Sequence, residues 1–198
     1  MPTLRSILSS SNSVFTALFC LGAVTFCLDN SWAQLSAEAR WDIRCFLLEW
    51  VSTRGPGSVP AARAATSALA RVTVLAWRTD SRHHATARHA LQFLAPRARG
   101  HWAVGLDLWA QLICDMQRPH AVLNERPTVR LLLFRDIALR PLFTRLVSQL
   151  FELLGEARAA LLGILAGGAQ ADAALCVVGA RRRRSHRTAS ISGVLLIP

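Results

Sequence analysis

Along this chain, apolar residues recur every three or four positions in blocks of roughly 14 to 18 residues, the period of a helix that buries one face. Trp41, Cys45 and Leu48 share one such face, and Phe46, Trp50 and Val51 widen it. Ser36 is placed to cap this helix, Glu38 puts a negative charge in its first turn, and Gly55-Pro56-Gly57 closes it. A second helix starts near Val59-Pro60 and reaches Trp77, with a stripe of Ala61, Ala64 or Ala65, Ala68 or Leu69, Val72, Leu75 and Ala76. Thr79-Asp80-Ser81 forms a turn, and the helix after it runs to about Leu94 with Ala90, Leu91 and Leu94 facing inward. Pro96 and Gly100 break the chain. From His101 a long helix is expected to bury Trp102, Leu106, Trp109, Ala110, Ile113 and Met116 and to stop at Arg118-Pro119. Asn124 caps the next helix, with Pro127 in a first turn where its missing N–H costs nothing. Pro141 separates that helix from one carrying Leu142, Leu146, Leu150 and Leu153, and a weaker helix spans Glu156 to Leu165, ending at Gly167-Gly168.

No segment alternates as a strand does beside hairpin turn residues, so the chain is predicted to be all-α. Each apolar stripe is wider than a coiled-coil seam and needs neighbours on both sides. Stacked antiparallel helix pairs, an α-solenoid of HEAT or armadillo-like repeats, meet that need. A four-helix bundle holds fewer than the seven or so helices counted here, and no heptad register runs long enough for a coiled coil. The chain divides into an N-terminal extension (1–11), a repeat region (12–154), a weak helical extension (155–178) and an Arg-rich tail (179–198) predicted to be disordered.

Composition supports helix: 52% of residues are hydrophobic, and Ala, Leu and Arg dominate. Lysine is absent, so all 23 basic residues are Arg, and the net charge is +11. Arg181 to Arg184 and Arg187 supply five of those charges in the tail, which leaves about +6 for the rest, spread without one basic stripe. A basic nucleic-acid-binding protein is therefore an alternative that the charge permits and does not demand. The tail run has the composition of a nuclear localisation signal, an RNA contact or a solvated segment.

Residues 1–33 have the outline of a secretory signal, with Arg5 before an apolar run from Val14 to Leu28 and Ser31-Trp32-Ala33 after it. Trp32 suits a cleavage site poorly, and a buried helix from Asn12 to Leu28 explains the same run equally well on composition. Ala159 to Ala180 is apolar too, but Gln170, Asp172 and the Gly167-Gly168 pair oppose a membrane span.

Candidate chemistry is sparse. Cys20, Cys27, Cys45, Cys114 and Cys176 are odd in number, scattered and without C-x-x-C spacing, so small reduced core residues are expected in place of disulfides or zinc ligands. His83, His84 and His89 come nearest to a metal cluster, yet His84 and His89 stand five apart and share a helix face poorly, which favours a solvated surface. Asp107 and Asp115 do not converge with each other or with a nucleophile. Trp41, Trp102 and Trp109 fall on apolar stripes and are expected in the core, not as base-stacking platforms; Trp32 and Trp50 fit either role. No catalytic, cofactor-binding or metal residue is predicted.

Between Leu35 and Leu154 the chain resembles the N-terminal arm of nuclear transport receptors of the importin-β superfamily. The pieces are Leu35-Ser36-Ala37-Glu38-Ala39-Arg40-Trp41-Asp42-Ile43-Arg44, Ala70-Arg71-Val72-Thr73-Val74-Leu75-Ala76-Trp77, Val104-Gly105-Leu106 with Gln111-Leu112 and Met116, and Leu133-Phe134-Arg135-Asp136-Ile137-Ala138-Leu139 leading into Leu142-Phe143. Their shared order over about 120 residues carries the resemblance, and each piece alone is unspecific. The resemblance implies HEAT repeats, binding of the GTPase Ran in its GTP form, protein cargo, contact with Phe-Gly nucleoporins, and shuttling between nucleus and cytoplasm without membrane insertion. It also implies a repeat helix before Leu35, which favours the buried helix over a signal peptide and a secreted product. Two departures stand out: the fragment is basic where such receptors are acidic, and the likeness fades after Leu154. A HEAT scaffold that binds partners without a GTPase is the other reading of the same helices.

Overall fold

The computed structural model of the protein describes residues 2–54, 59–95, 100–120, 123 and 126–164. The chain divides into a compact unit of residues 1–150 and a second unit of residues 151–198. All regular structure among the described residues is helical, with no strand, so the chain is all-α. In the first unit the helices are α1 (Pro2–Ser10), α2 (Val14–Ser31), α3 (Ala37–Arg54), α4 (Val59–Ala76), α5 (Ala85–Phe93), α6 (Trp102–Gln117) and α7 (Pro127–Phe134), with residues 140–150 forming α8; in the second unit residues 151–164 are helical. Short 3-10 turns, Trp32–Gln34 and Ser81–His84, precede α3 and α5, and a π-turn, Arg135–Leu139, follows α7.

Helix ends are set by local hydrogen bonds. Ser36 Oγ accepts from the Ala39 N–H at 3.1 Å, as the sequence predicted, and Ser13 caps α2 through the Thr16 N–H at 3.4 Å. Asp80 accepts from the Arg82 N–H at 3.0 Å and starts the turn into α5. The carbonyls at the end of α1 are met from α3. Arg54 donates to the oxygens of Leu8, Ser9 and Ser11 at 3.2, 2.6 and 2.6 Å, which places a cation at the negative end of the α1 dipole.

α4 is the centre of the first unit. It packs against α2, α3 and α6, while α6 also packs against α5 and α7, and α2 against α1. Accordingly, α4 is buried from Leu69 almost continuously to Ala76, including Ala70, Val72, Thr73, Val74 and Leu75. Its alanines let neighbours approach closely on several sides, and the largest nearly solvent-free side chains elsewhere in the unit are Trp77, Arg130, Phe134, Leu8, Leu21, Leu28, Leu47, Leu94, Leu108, Leu112 and Met116.

Several sequence expectations need correction. The buried face of α3 is Ile43, Arg44, Leu47, Trp50 and Val51, whereas Trp41, Cys45 and Leu48 are only half-buried. In α6 the buried face is Val104, Gly105, Leu108, Trp109, Leu112, Asp115 and Met116, and the predicted Leu106, Ala110 and Ile113 face outward. In both helices the true stripe contains an ionisable residue, Arg44 or Asp115, which hydropathy alone assigns to solvent. Pro141 does not end a helix. The π-turn just before it widens the backbone where the proline ring would meet the carbonyl four residues back, and helix continues past the proline to the end of the unit at residue 150. Residues 2–10, read only as an extension, contain α1. The stop at Gly55-Pro56-Gly57, the break at Pro96, the Asn124 cap, the end at Gly167-Gly168 and the tail 179–198 all lie outside the described residues.

Candidate functional site

Most of the buried polar residues of the first unit lie around α4, where they tie helices together. Arg44 enters from α3, 3% exposed. Its Nε donates to Thr86 Oγ1 at 3.1 Å and its Nη2 lies 2.9 Å from His89 Nδ1, both on α5. Thr73 of α4 donates to the Leu69 carbonyl at 2.7 Å, with its hydroxyl 3.1 Å from that of Thr86. The guanidinium also lies over the Trp41 ring, 4.8 Å from its centroid. Burial lowers the pKa of Arg44 from its ordinary value, and burial followed by the charge of Arg44 lowers that of His89. A neutral His89 ring can then accept from the Arg44 guanidinium.

A second cluster centres on Arg71 of α4. Its Nε is 3.0 Å from Asp29 of α2, its Nη1 is 3.7 Å from Asp115 of α6, and it hydrogen-bonds His120. Asp115, almost wholly buried, also pairs with Arg118 at 3.4 Å, and His120 Nε2 is 2.9 Å from the Asp115 carbonyl. Arg71 therefore links α2, α4 and α6 through one guanidinium. The pKa of His120 is lowered first by burial and then by Arg71 and Arg130.

At the start of α5, Arg82 bridges Asp80 at 2.8 Å and Glu38 at 3.1 Å and lies 5.0 Å from the Trp41 centroid. Its hydrogen bond is the main cause that lowers the pKa of Asp80. His83 is fully buried, edge-on to Trp41 with centroids 5.5 Å apart, and its Nε2 is 3.9 Å from Asp80. Burial pulls its pKa down to about 4.

The predicted candidates are thus dispersed. His83 is buried, His84 lies 2.8 Å from the Trp77 carbonyl, and His89 meets Arg44, so the solvated-surface reading of the three is corrected. Asp107 takes Thr66 and Arg63 as partners, far in role from the Arg71-bound Asp115. Trp109 is buried, as are Trp32, Trp50 and Trp77, while Trp41 and Trp102 are half-buried. Of the cysteines, Cys20 is buried, Cys27 and Cys45 are partly so, and Cys114 is exposed, which corrects its core assignment; all four are free thiols. Cys176 and Arg181 to Arg187 lie outside the described residues.

The chain matches no family model, no curated protein and no solved structure. Its own geometry is what remains. Buried members of the quoted motif pieces meet one another: Arg44 and Thr73 join through Thr86, and Trp77 stacks edge-on against Phe134 at 5.3 Å. Sequence reasoning missed Arg44 as a buried group and Arg71 as a half-buried one. The available signal was an arginine inside an apolar stripe, Ile43-Arg44 followed by Leu47 and Ala70-Arg71-Val72, where a cation must find partners across a helix interface.

Two surfaces face outward. A cavity of about 240 Å³ opens between α1, α2 and α3, lined by Leu4, Arg5, Val24, Ile43, Phe46 and Leu47 among others. On α2, Phe15, Phe19 and Phe26 are exposed, and Val14–Gln34 is long and apolar enough to cross a membrane by length and composition.

Proposed function

We propose that the chain is a non-catalytic, protein-binding helical-repeat module of the nuclear transport receptor type, closest to exportin-7 and its relative Ran-binding protein 17. In this role it binds Ran in its GTP form together with protein cargo and moves between nucleus and cytoplasm through Phe-Gly nucleoporins. The ordered motif set over Leu35–Leu154 is the primary support. One structural observation adds to it: α2, α4 and α6 contact in series, and each also contacts the helix before it, α1, α3 and α5. That arrangement is consistent with three antiparallel pairs in two layers, the pattern of a HEAT-like solenoid. A solenoid recognises partners through extended faces spread over many side chains, so the polar clusters around α4 act as its frame and leave the outer faces for binding.

The test is a pull-down of the full chain with Ran loaded with GTP or with GDP. Binding selective for the GTP form is expected. Equal binding to both forms, or to neither, would overturn receptor activity, and a stable complex indifferent to nucleotide would assign the chain to HEAT scaffolds.

A further inference from the structure

α2 is apolar on both sides. Its inner side, Ala17, Cys20, Leu21, Val24 and Leu28, is buried within the first unit. Its outer side carries Phe15, Phe19 and Phe26, which remain 85%, 75% and 67% exposed. Between the last two sits Gly22, whose missing side chain leaves open space. At about 200 Å² per ring, the three phenylalanines alone leave on the order of 450 Å² of aromatic surface open, as large as the largest apolar patches of typical monomers. A helix apolar all round is normally covered all round.

We propose that this face is a self-association surface on which α2 pairs antiparallel with α2 of a second copy. The spacing carries the proposal. Phe15, Phe19, Gly22 and Phe26 are separated by four, three and four residues, a pattern that reads identically in both directions. A two-fold axis between Cys20 and Leu21 sets Phe15 opposite Phe26 of the other copy, ring against ring. The same axis sets Phe19 opposite Gly22, a large side chain into a notch. An isologous interface needs this self-complementarity. With both copies contributing, the contact reaches roughly 1,000 Å², the lower bound for a specific interface.

Charge argues against the two competing occupants. From Val14 to Leu28 there is no charged residue, so a polar or charged partner surface finds nothing to pair with. A lipid surface favours helices flanked by basic residues, whereas the one charge on α2 is Asp29, which Arg71 already holds at 3.0 Å. The surface requires neither Ran nor cargo, so it stands or fails apart from the transport reading.

Sedimentation velocity of the full chain over a concentration series tests it, with two variants and a lipid arm. A dimer with a dissociation constant of about 10 µM is expected for an interface of this size. Phe19→Asp is expected to leave a monomer with unchanged helicity, because Phe19 is mostly exposed. Gly22→Leu adds apolar surface, fits the open space around Gly22 within its own chain, and fills the notch; it is expected to weaken the dimer at least tenfold. A chain that stays monomeric to about 100 µM overturns the proposal. So does association that both variants retain, or flotation of the monomer with phosphatidylcholine vesicles that Gly22→Leu leaves undiminished, which would assign the face to lipid.

Discussion

His83 sits at 0% exposure between Trp41 and Asp80, and its chemistry makes stability depend on pH. Its folded pKa of about 4 lies below the ordinary 6.5, because burial penalises the imidazolium and Arg44, Arg82 and His84 repel it, while Asp80 opposes them. Between those two values the unfolded chain holds a proton that the folded chain refuses. The His83 contribution is therefore fully present above pH 6.5 and is lost as pH falls toward 4. One pKa unit corresponds to about 1.4 kcal/mol, so this one residue accounts for up to about 3 kcal/mol across the window. His89 and His120, lowered for the same reason, act in the same direction. Asp80 titrates below the window because Arg82 holds its pKa under 3.8. Urea midpoints measured at pH 7.5, 6 and 5 should fall steadily in the native chain, and His83→Leu, which keeps an apolar filler beside Trp41, should fall less. Equal slopes for both proteins would show that His83 is free to protonate in the fold.

Between elements, α6 meets α5 at close range at Gly105. A Cβ at Gly105 would lie 2.8 Å from Leu94 Cδ2, 3.0 Å from the Ala90 carbonyl and 3.0 Å from Phe93 Cβ. The leucine methyl can turn aside, but the carbonyl and Cβ are fixed to the helix, so α5 and α6 must separate. Gly105→Ala gains about 1 kcal/mol of helix propensity and loses about 1–3 kcal/mol to overpacking. A net loss of about 0–2 kcal/mol is expected in chemical denaturation, and a stabilised variant would mean that the two helices slide apart freely. The same glycine explains what the sequence made legible and what it hid. Helix α3 from its Ser36 cap, the α4 stripe and the Asp80 turn were readable because caps, alanine periodicity and turn residues act locally. The face of α6 was not, because Gly105 and Asp115 lower its apparent hydrophobicity although both are buried, Gly105 against α5 and Asp115 beside Arg71. Arg44 hid the true face of α3 in the same way. The partners of these groups, Thr86, His89 and Asp29, lie tens of residues away, and only the tertiary structure pairs them. Pro141 was misread because a π-turn absorbed its clash.

At the scale of the first unit, the question is whether its helices melt as one body or pair by pair. In a solenoid each pair contacts only its neighbours, so a lesion at one end stays local. α1 tests this cleanly. It rests on α2, and its end is held by Arg54 and by Trp50, whose Nε1 donates to the Leu8 carbonyl at 3.4 Å. Leu8 is 1% exposed, and Leu8→Ala removes about 3 kcal/mol of packing, a drop of roughly a hundredfold in local protection. Amide exchange should quicken by about that factor in α1 and the inner side of α2. In α5 and α6, whose principal packing reaches α1 through α2 and α4, protection should hold within about threefold. α4 is the informative middle: near its C-terminal end Arg71 couples it both to Asp29 of α2 and to Asp115 of α6, so α4 should respond weakly, between the two extremes. If instead α5 and α6 lose as much protection as α1, the helices share a single cooperative core. The two-layer repeat reading would then give way to a globular helical domain, and with it the structural part of the case for a transport-receptor arm.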